Sequence, residues 1–101
     1  MTLFPPKNKW IRIVGATTIV NITHVKEYDV YCGRPSEWGN PFVIGRDGTR
    51  NEVLVKYGLY LKANKKLARK AKRELVGRTI GCFCIPEACH LEILIGVADG
   101  L

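Results

Sequence analysis

Regular patterning begins at residue 10. Residues 10–14 (WIRIV) and 17–22 (TTIVNI) are β-rich runs, and in the first Ile11 and Ile13 alternate with Trp10, Arg12 and Val14, the two-residue period of a strand. Gly15-Ala16 separates the runs, which form either a hairpin or one bent strand. Residues 28–33 (YDVYCG) read as another strand, ended by Gly33 and Pro35. The pattern then lapses over residues 34–49, where Pro35, Gly39, Asn40-Pro41, Gly45 and Asp47-Gly48 mark a long loop.

A helical period follows. Thr49 and Glu52 form a capping-box pair, and Val53, Tyr57, Tyr60 and Leu61 recur at inward-facing spacing through about residue 63, with Gly58 as a weak point. A second helix over about 65–75 carries Leu67, Ala68, Ala71 and Leu75 on one side, with Gly77 as its stop. Residues 78–84 (RTIGCFC) read as a buried strand and 88–98 as a last helix, with Leu91, Leu94, Ile95 and Ala98 apolar. This order predicts one α/β or α+β domain over 1–101, with three to five strands covered by about three helices and an irregular arm at 1–9.

Composition agrees with a globular chain: 101 residues, 47% hydrophobic and 25% charged. Pro5, Pro6, Lys7 and Lys9 stand where a secretory signal would be apolar, and the apolar stretch at 93–98 is too short to cross a bilayer. The expectation is a cytoplasmic protein, without a membrane partner, whose four cysteines stay reduced. The net charge of +7 favours an anionic partner such as a nucleotide or nucleic acid. Seven of the sixteen cations, Lys62, Lys65, Lys66, Arg69, Lys70, Lys72 and Arg73, fall within twelve residues.

The chemistry concentrates in residues 81–90, GCFCIPEACH. On a strand Ile80, Cys82 and Cys84 share a face and Phe83 points away, while Cys89 and His90 fall in the first turn of the last helix. Three readings stand. Cysteine is a common core residue, and Cys82 and Cys32 suit that role. Zinc is a second reading, with Cys84, Cys89, His90 and one more thiol. The difficulty is that helical neighbours diverge by roughly 100°. Third, a thiol at a helix N-terminus has its pKa lowered and an adjacent imidazole can act as a base, which suits Cys89 and His90 to a reactive or ligand-contacting role. No cofactor is expected from the sequence; zinc is the single candidate.

Residues 28–42 (YDVYCGRPSEWGNPF) and 81–90 together resemble a small uncharacterised family of phage and bacterial proteins, a domain of unknown function, with the pattern VYxGRxxxWGNPF and GCxCxPxxCH. The resemblance runs from about Ile19 to Ala98. It implies that Arg34, Trp38, Gly39, Asn40, Pro41, Arg50, Tyr57, Cys84, Pro86, Cys89 and His90 stand at signature positions. Cys32 replaces an aliphatic residue of the pattern, Phe83 a tryptophan and Leu91 a glycine, which narrows any approach to the helix start. The family supplies no reaction, but it pairs two distant segments.

Arg34 suits bidentate contact with phosphate or carboxylate, or bracing of its loop. Trp38 either anchors that loop or stacks a base. Asn40 is a turn residue or reads a ligand edge, Arg50 points back to the loop and the Cys-His turn or into solvent, Tyr57 packs, and His24 is an ordinary surface histidine. These residues together predict a phosphate-bearing ligand, nucleotide or nucleic acid, in a crevice between the 34–42 loop and the 84–90 turn. Arg34, Trp38, Asn40, Arg50 and Cys84 would bind it, with Cys89 as nucleophile assisted by His90 if there is chemistry. The alternative is a non-enzymatic phage-type module, zinc-stapled or not. It would engage nucleic acid or a host protein through Lys62, Lys65, Lys66, Arg69, Lys70 and Arg73.

Overall fold

The computed structural model describes residues 8–101, so of the expected arm only Asn8 and Lys9 lie within the described residues. The elements in chain order are β1 (Ile11–Val14), β2 (Thr17–Asn21), β3 (Val30–Tyr31), α1 (Arg50–Ala63), α2 (Lys65–Glu74), β4 (Thr79–Cys82) and α3 (His90–Asp99). Four strands and three helices make the expected α+β domain. The first two runs form the hairpin rather than one bent strand, with Val14 opposite Thr17 and Ile11 opposite Val20. Gly15 takes φ +58° while Ala16 keeps a negative φ, the sign pattern of a two-residue type II′ turn, in which the first position needs glycine.

The sheet order is β1-β2-β4-β3. β4 runs parallel to both β2 and β3, so all three strands end at one edge of the sheet. That edge carries the segments after Tyr31 and Cys82, which belong to the two stretches that carry the resemblance. The chain topology therefore brings together what the sequence keeps fifty residues apart. β3 is shorter than the 28–33 run because it is an edge strand paired on one side only. Even so, Asp29 N–H to Thr79 O (2.7 Å) and Cys32 N–H to Gly81 O (2.8 Å) continue the ladder at each end.

α3 packs against α1 and α2 and against β1 and β2. Ile19, Ile80 and Cys82 from the sheet meet Tyr57, Leu61, Ala71, Leu75, Leu94, Ile95 and Ala98 in one core. Leu61, Leu75, Leu91 and Leu94 are fully buried, each stabilising the fold by about 1.5–3 kcal/mol. The capping box at Thr49 and Glu52 is formed in both directions. Besides β3, two boundaries around the cysteine segment differ from expectation. β4 stops at Cys82, where the chain turns away, and the last helix begins at His90 with Cys89 as its N-cap.

Candidate functional site

A cleft of about 330 Å³ opens at the shared strand edge, lined among others by Tyr31, Arg34, Asn40, Phe42, Arg50, Phe83, Cys84 and His90. One wall is the loop after β3, the other the turn after β4, and α1 forms the floor with Val53 and Leu54. Tyr31 and Phe83 meet edge to face at 6.0 Å. Phe83 is 60% exposed although it follows a buried strand, so its ring is on the cleft side and outside the core.

The loop is braced by its own residues. Arg34 donates from Nε to the Asn40 carbonyl and from Nη2 to the Phe42 carbonyl, both at 2.9 Å. The Asn40 side chain accepts from Phe42 N–H at 2.9 Å and donates to the Val53 carbonyl at 3.2 Å, which commits both its polar atoms. Trp38 is buried, and its carbonyl accepts from the Tyr57 hydroxyl at 2.8 Å, so the tryptophan anchors the loop. Gly39 lies against the Arg34 backbone, where an added Cβ would stand 3.2 Å from its N and Cα.

The opposite turn is held from elsewhere. Arg12 on β1 donates to the Pro86 carbonyl at 2.6 Å and pairs with Glu92 at 2.6 Å. Asn21 at the end of β2 donates to the carbonyls of Ile85 (2.8 Å) and Phe83 (3.3 Å). Arg50 donates from Nη1 to the Ala88 carbonyl at 3.0 Å. Arg50 thus points toward the Cys-His turn, as one of its two sequence readings had it. Glu92 accepts from the Cys89 N–H at 3.0 Å and completes a capping box around the start of α3.

Behind this wall lies a sulfur cluster. The Sγ atoms of Cys82, Cys84 and Cys89 all lie within 4.8 Å of one another and could hold a metal ion. Cys82 and Cys89 are 3.3 Å apart, and Nδ1 of His90 is 3.8 Å from both Cys84 and Cys89. The cluster comprises the set expected for zinc, and Cys82, also a core residue, is the further thiol. Cys89 was expected to have the lowered pKa of a helix N-terminus; the shift falls on Cys84 instead. Hydrogen bonds with Cys82 and Cys89 hold Cys84 well below the usual thiol value, while hydrogen bonds with Cys82 and Cys84, then burial, push Cys89 far above it. Cys84 is the least buried of the three and lines the cleft, whereas Cys89 is 1% exposed. Cys32 packs in the core, and burial first raises its thiol to about 12.

Residues 20–100 match the family described as Domain of unknown function (DUF4326). The chain belongs to that family. No curated protein and no solved structure matched it. Of the positions that the resemblance singled out, Arg34, Asn40, Arg50, Cys84 and His90 meet in the cleft of this DUF4326 domain.

No residue of the basic helix lines the cleft, and Lys70 ties the helix to the outer side of the loop. Lys70 pairs with Glu37 at 2.9 Å and sits 5.8 Å from the Trp38 ring, and Lys72 donates to the Leu101 carbonyl. Lys62, Lys65, Lys66, Arg69 and Arg73 form no ion pair among the described residues. His24 is exposed and stacks on Trp10 with ring centroids 3.6 Å apart. Among the described residues no helix is long and apolar enough to cross a membrane. Sequence reasoning passed over Arg12, Asn21, Tyr31, Phe42 and Phe83. A buried asparagine at a strand end is a signal, since an amide in that place needs partners; Arg12 carries none, because one polar residue between isoleucines reads as the solvent face of a strand.

Proposed function

We propose that this DUF4326 domain binds a phosphate-bearing ligand, a nucleotide in the first instance, in the cleft between the 33–42 loop and the 83–89 turn. The observation that carries this is the convergence of two guanidinium groups from distant segments, Arg34 and Arg50, on one aromatic-walled cleft. Each keeps donors beyond its bracing bonds: Nη1 of Arg34 and Nη2 of Arg50 have no hydrogen bond among the described residues. Guanidinium is well matched to phosphate oxygens, and Tyr31, Phe42 and Phe83 offer faces for a base. In this reading the cysteine-histidine cluster is a wall stapled by zinc. Nucleophilic attack by Cys89 has little support from its buried sulfur. The setting that suits four unpaired thiols is a reducing one, the cytoplasm.

A second reading has its own observation, the row of unpaired cations on α2 and at the end of α1, which favours nucleic acid on that face. One experiment separates the two: calorimetric titration of the protein with a set of nucleoside diphosphates and with a short single-stranded oligonucleotide. The cleft reading expects Arg50→Glu to weaken diphosphate binding at least tenfold, while the triple change Lys66→Glu, Arg69→Glu and Arg73→Glu leaves it intact. Diphosphate affinity equal in wild type and Arg50→Glu, or oligonucleotide binding lost only in the triple variant, would remove the cleft reading.

A further inference from the structure

Three thiols and an imidazole meeting behind the cleft call for an account beyond packing. They form no disulfide: Cys82 and Cys89 are 3.3 Å apart, against a bond of about 2.05 Å, and Cys84 adjoins the same pair. The imidazole fixes its own tautomer. Nε2 of His90 lies 2.9 Å from the Cys32 carbonyl, which can only accept, so Nε2 carries the proton and Nδ1 presents its lone pair. That lone pair faces the sulfurs of Cys84 and Cys89 at 3.8 Å. Zinc–sulfur bonds of about 2.3 Å in a tetrahedron put neighbouring ligand atoms roughly 3.5–3.8 Å apart; both separations from His90 match that spacing, the Cys82–Cys89 distance of 3.3 Å is slightly shorter, and the three sulfurs lie within 4.8 Å of one another.

The backbone removes the one geometric objection. Adjacent residues diverge around a helix, but Cys89 is the N-cap with φ −120° and ψ 139°, in extended conformation, and only His90 is helical. Side chains at this junction can converge, and the 3.8 Å separation shows that they do. Two outer contacts also suit ligands: the backbone N–H of Leu91 points at the Cys89 sulfur at 3.4 Å, where it supports a thiolate, and the Cys32 carbonyl orients the imidazole.

We propose that Cys82, Cys84, Cys89 and His90 bind one zinc ion as a closed site of three sulfurs and one nitrogen. All three sulfurs bind as thiolates, the thiols among them releasing their protons, and His90 donates its Nδ1 lone pair while keeping the Nε2 proton on the Cys32 carbonyl. With all four positions filled by protein the ion is structural: it ties the end of β4 to the start of α3 and fixes the cleft wall that carries Cys84 and His90. A sulfur-rich tetrahedral set selects zinc over the hard divalent cations. This donor set gives the zinc staple of the proposed function its fourth ligand, and it stands or fails independently of what the cleft binds.

The test is metal analysis of the protein purified without chelator, followed by exchange with cobalt(II). Wild type and Cys32→Ala are expected to hold close to one zinc per chain, and Cys84→Ser and His90→Ala at least tenfold less. Because those variants can lose their fold along with the ion, the decisive reading comes from cobalt absorption of two folded proteins. Wild type should show intense tetrahedral bands with sulfur-to-cobalt charge transfer, and His90→Cys should keep the intensity while its bands shift as a fourth sulfur enters. Wild type that takes up neither zinc nor cobalt, a six-coordinate cobalt spectrum, or bands unmoved in a metal-loaded His90→Cys would each overturn the site.

Discussion

Across the cleft, the 33–49 loop and the 83–89 turn are held by contacts of different reach. Arg34 bonds carbonyls six and eight positions away, Asn40 receives an N–H two positions away, and Asp47 accepts from Val43 N–H four positions away. The turn draws on Asn21, Arg12 and Arg50, which stand 64, 74 and 38 positions from the carbonyls they hold. The loop can take its shape once its own residues meet. The turn cannot exist as such until both strands of the hairpin and α1 are in place. One wall of the cleft is therefore mostly local structure, tied to α1 at Val53 and Tyr57 and to α2 at Lys70, and the other is a product of the whole fold, so damage to the turn should be felt more globally than damage to the loop.

Asn21→Ala is the strongest way to break the turn. It removes the amide that serves the buried bond to the Ile85 carbonyl and the longer one to Phe83, and it takes away the acceptor for Thr23 N–H. Leaving a buried carbonyl without a partner costs about 1–3 kcal/mol, and with the other losses the expected destabilisation is about 3 kcal/mol. Urea unfolding measures it. A loss below about 0.5 kcal/mol would mean that the turn is self-supporting and that the contrast between the walls is false.

Tyr57→Phe tests the loop side with a smaller effect. Its hydroxyl to the Trp38 carbonyl is a buried tie from α1 to the middle of the loop, beside the Asn40 bond to Val53, while its ring remains packed in the core and 5.6 Å from His90. Removing one such bond costs about 1 kcal/mol. If the loop is local structure, amide hydrogen exchange should speed up mainly over residues 36–40. Equal acceleration in β4 and α3 would show the loop to be as integrated as the turn.

The same contrast sets what the sequence could reveal. Elements that depend on near neighbours were legible: the capping box at Thr49 and Glu52, the apolar faces of Leu91, Leu94, Ile95 and Ala98, and the break at 34–49. That Arg34, Cys84 and His90 stand near one another was legible because they belong to two recognisable segments, which the parallel strands bring to one cleft where α1 adds Arg50. The role of Arg12 was not, since nothing in IRIV says that its one cation crosses to a turn 74 positions on. Cys82 was split between two roles for a related reason. Strand alternation gave its face correctly, but the N-cap conformation that turns Cys89 and His90 toward it is set by Glu92 and Arg12 together.

That last pairing supplies the finest test. Arg12 and Glu92 approach at 2.6 Å with 32% of each side chain exposed, so water screens the pair and its charge attraction should be worth only about 0.5–1 kcal/mol. A double-mutant cycle on Arg12→Met and Glu92→Gln, read by urea unfolding, isolates that share, and 1 M salt should reduce it because the screening length shrinks to about 3 Å. Arg12→Met alone should cost more than the coupling, because the Pro86 carbonyl also loses its donor. If the single change costs no more than the coupling, Arg12 acts as a surface charge partner only. The turn would then be held by Asn21 and Arg50, and the long reach of its support would rest on two residues instead of three.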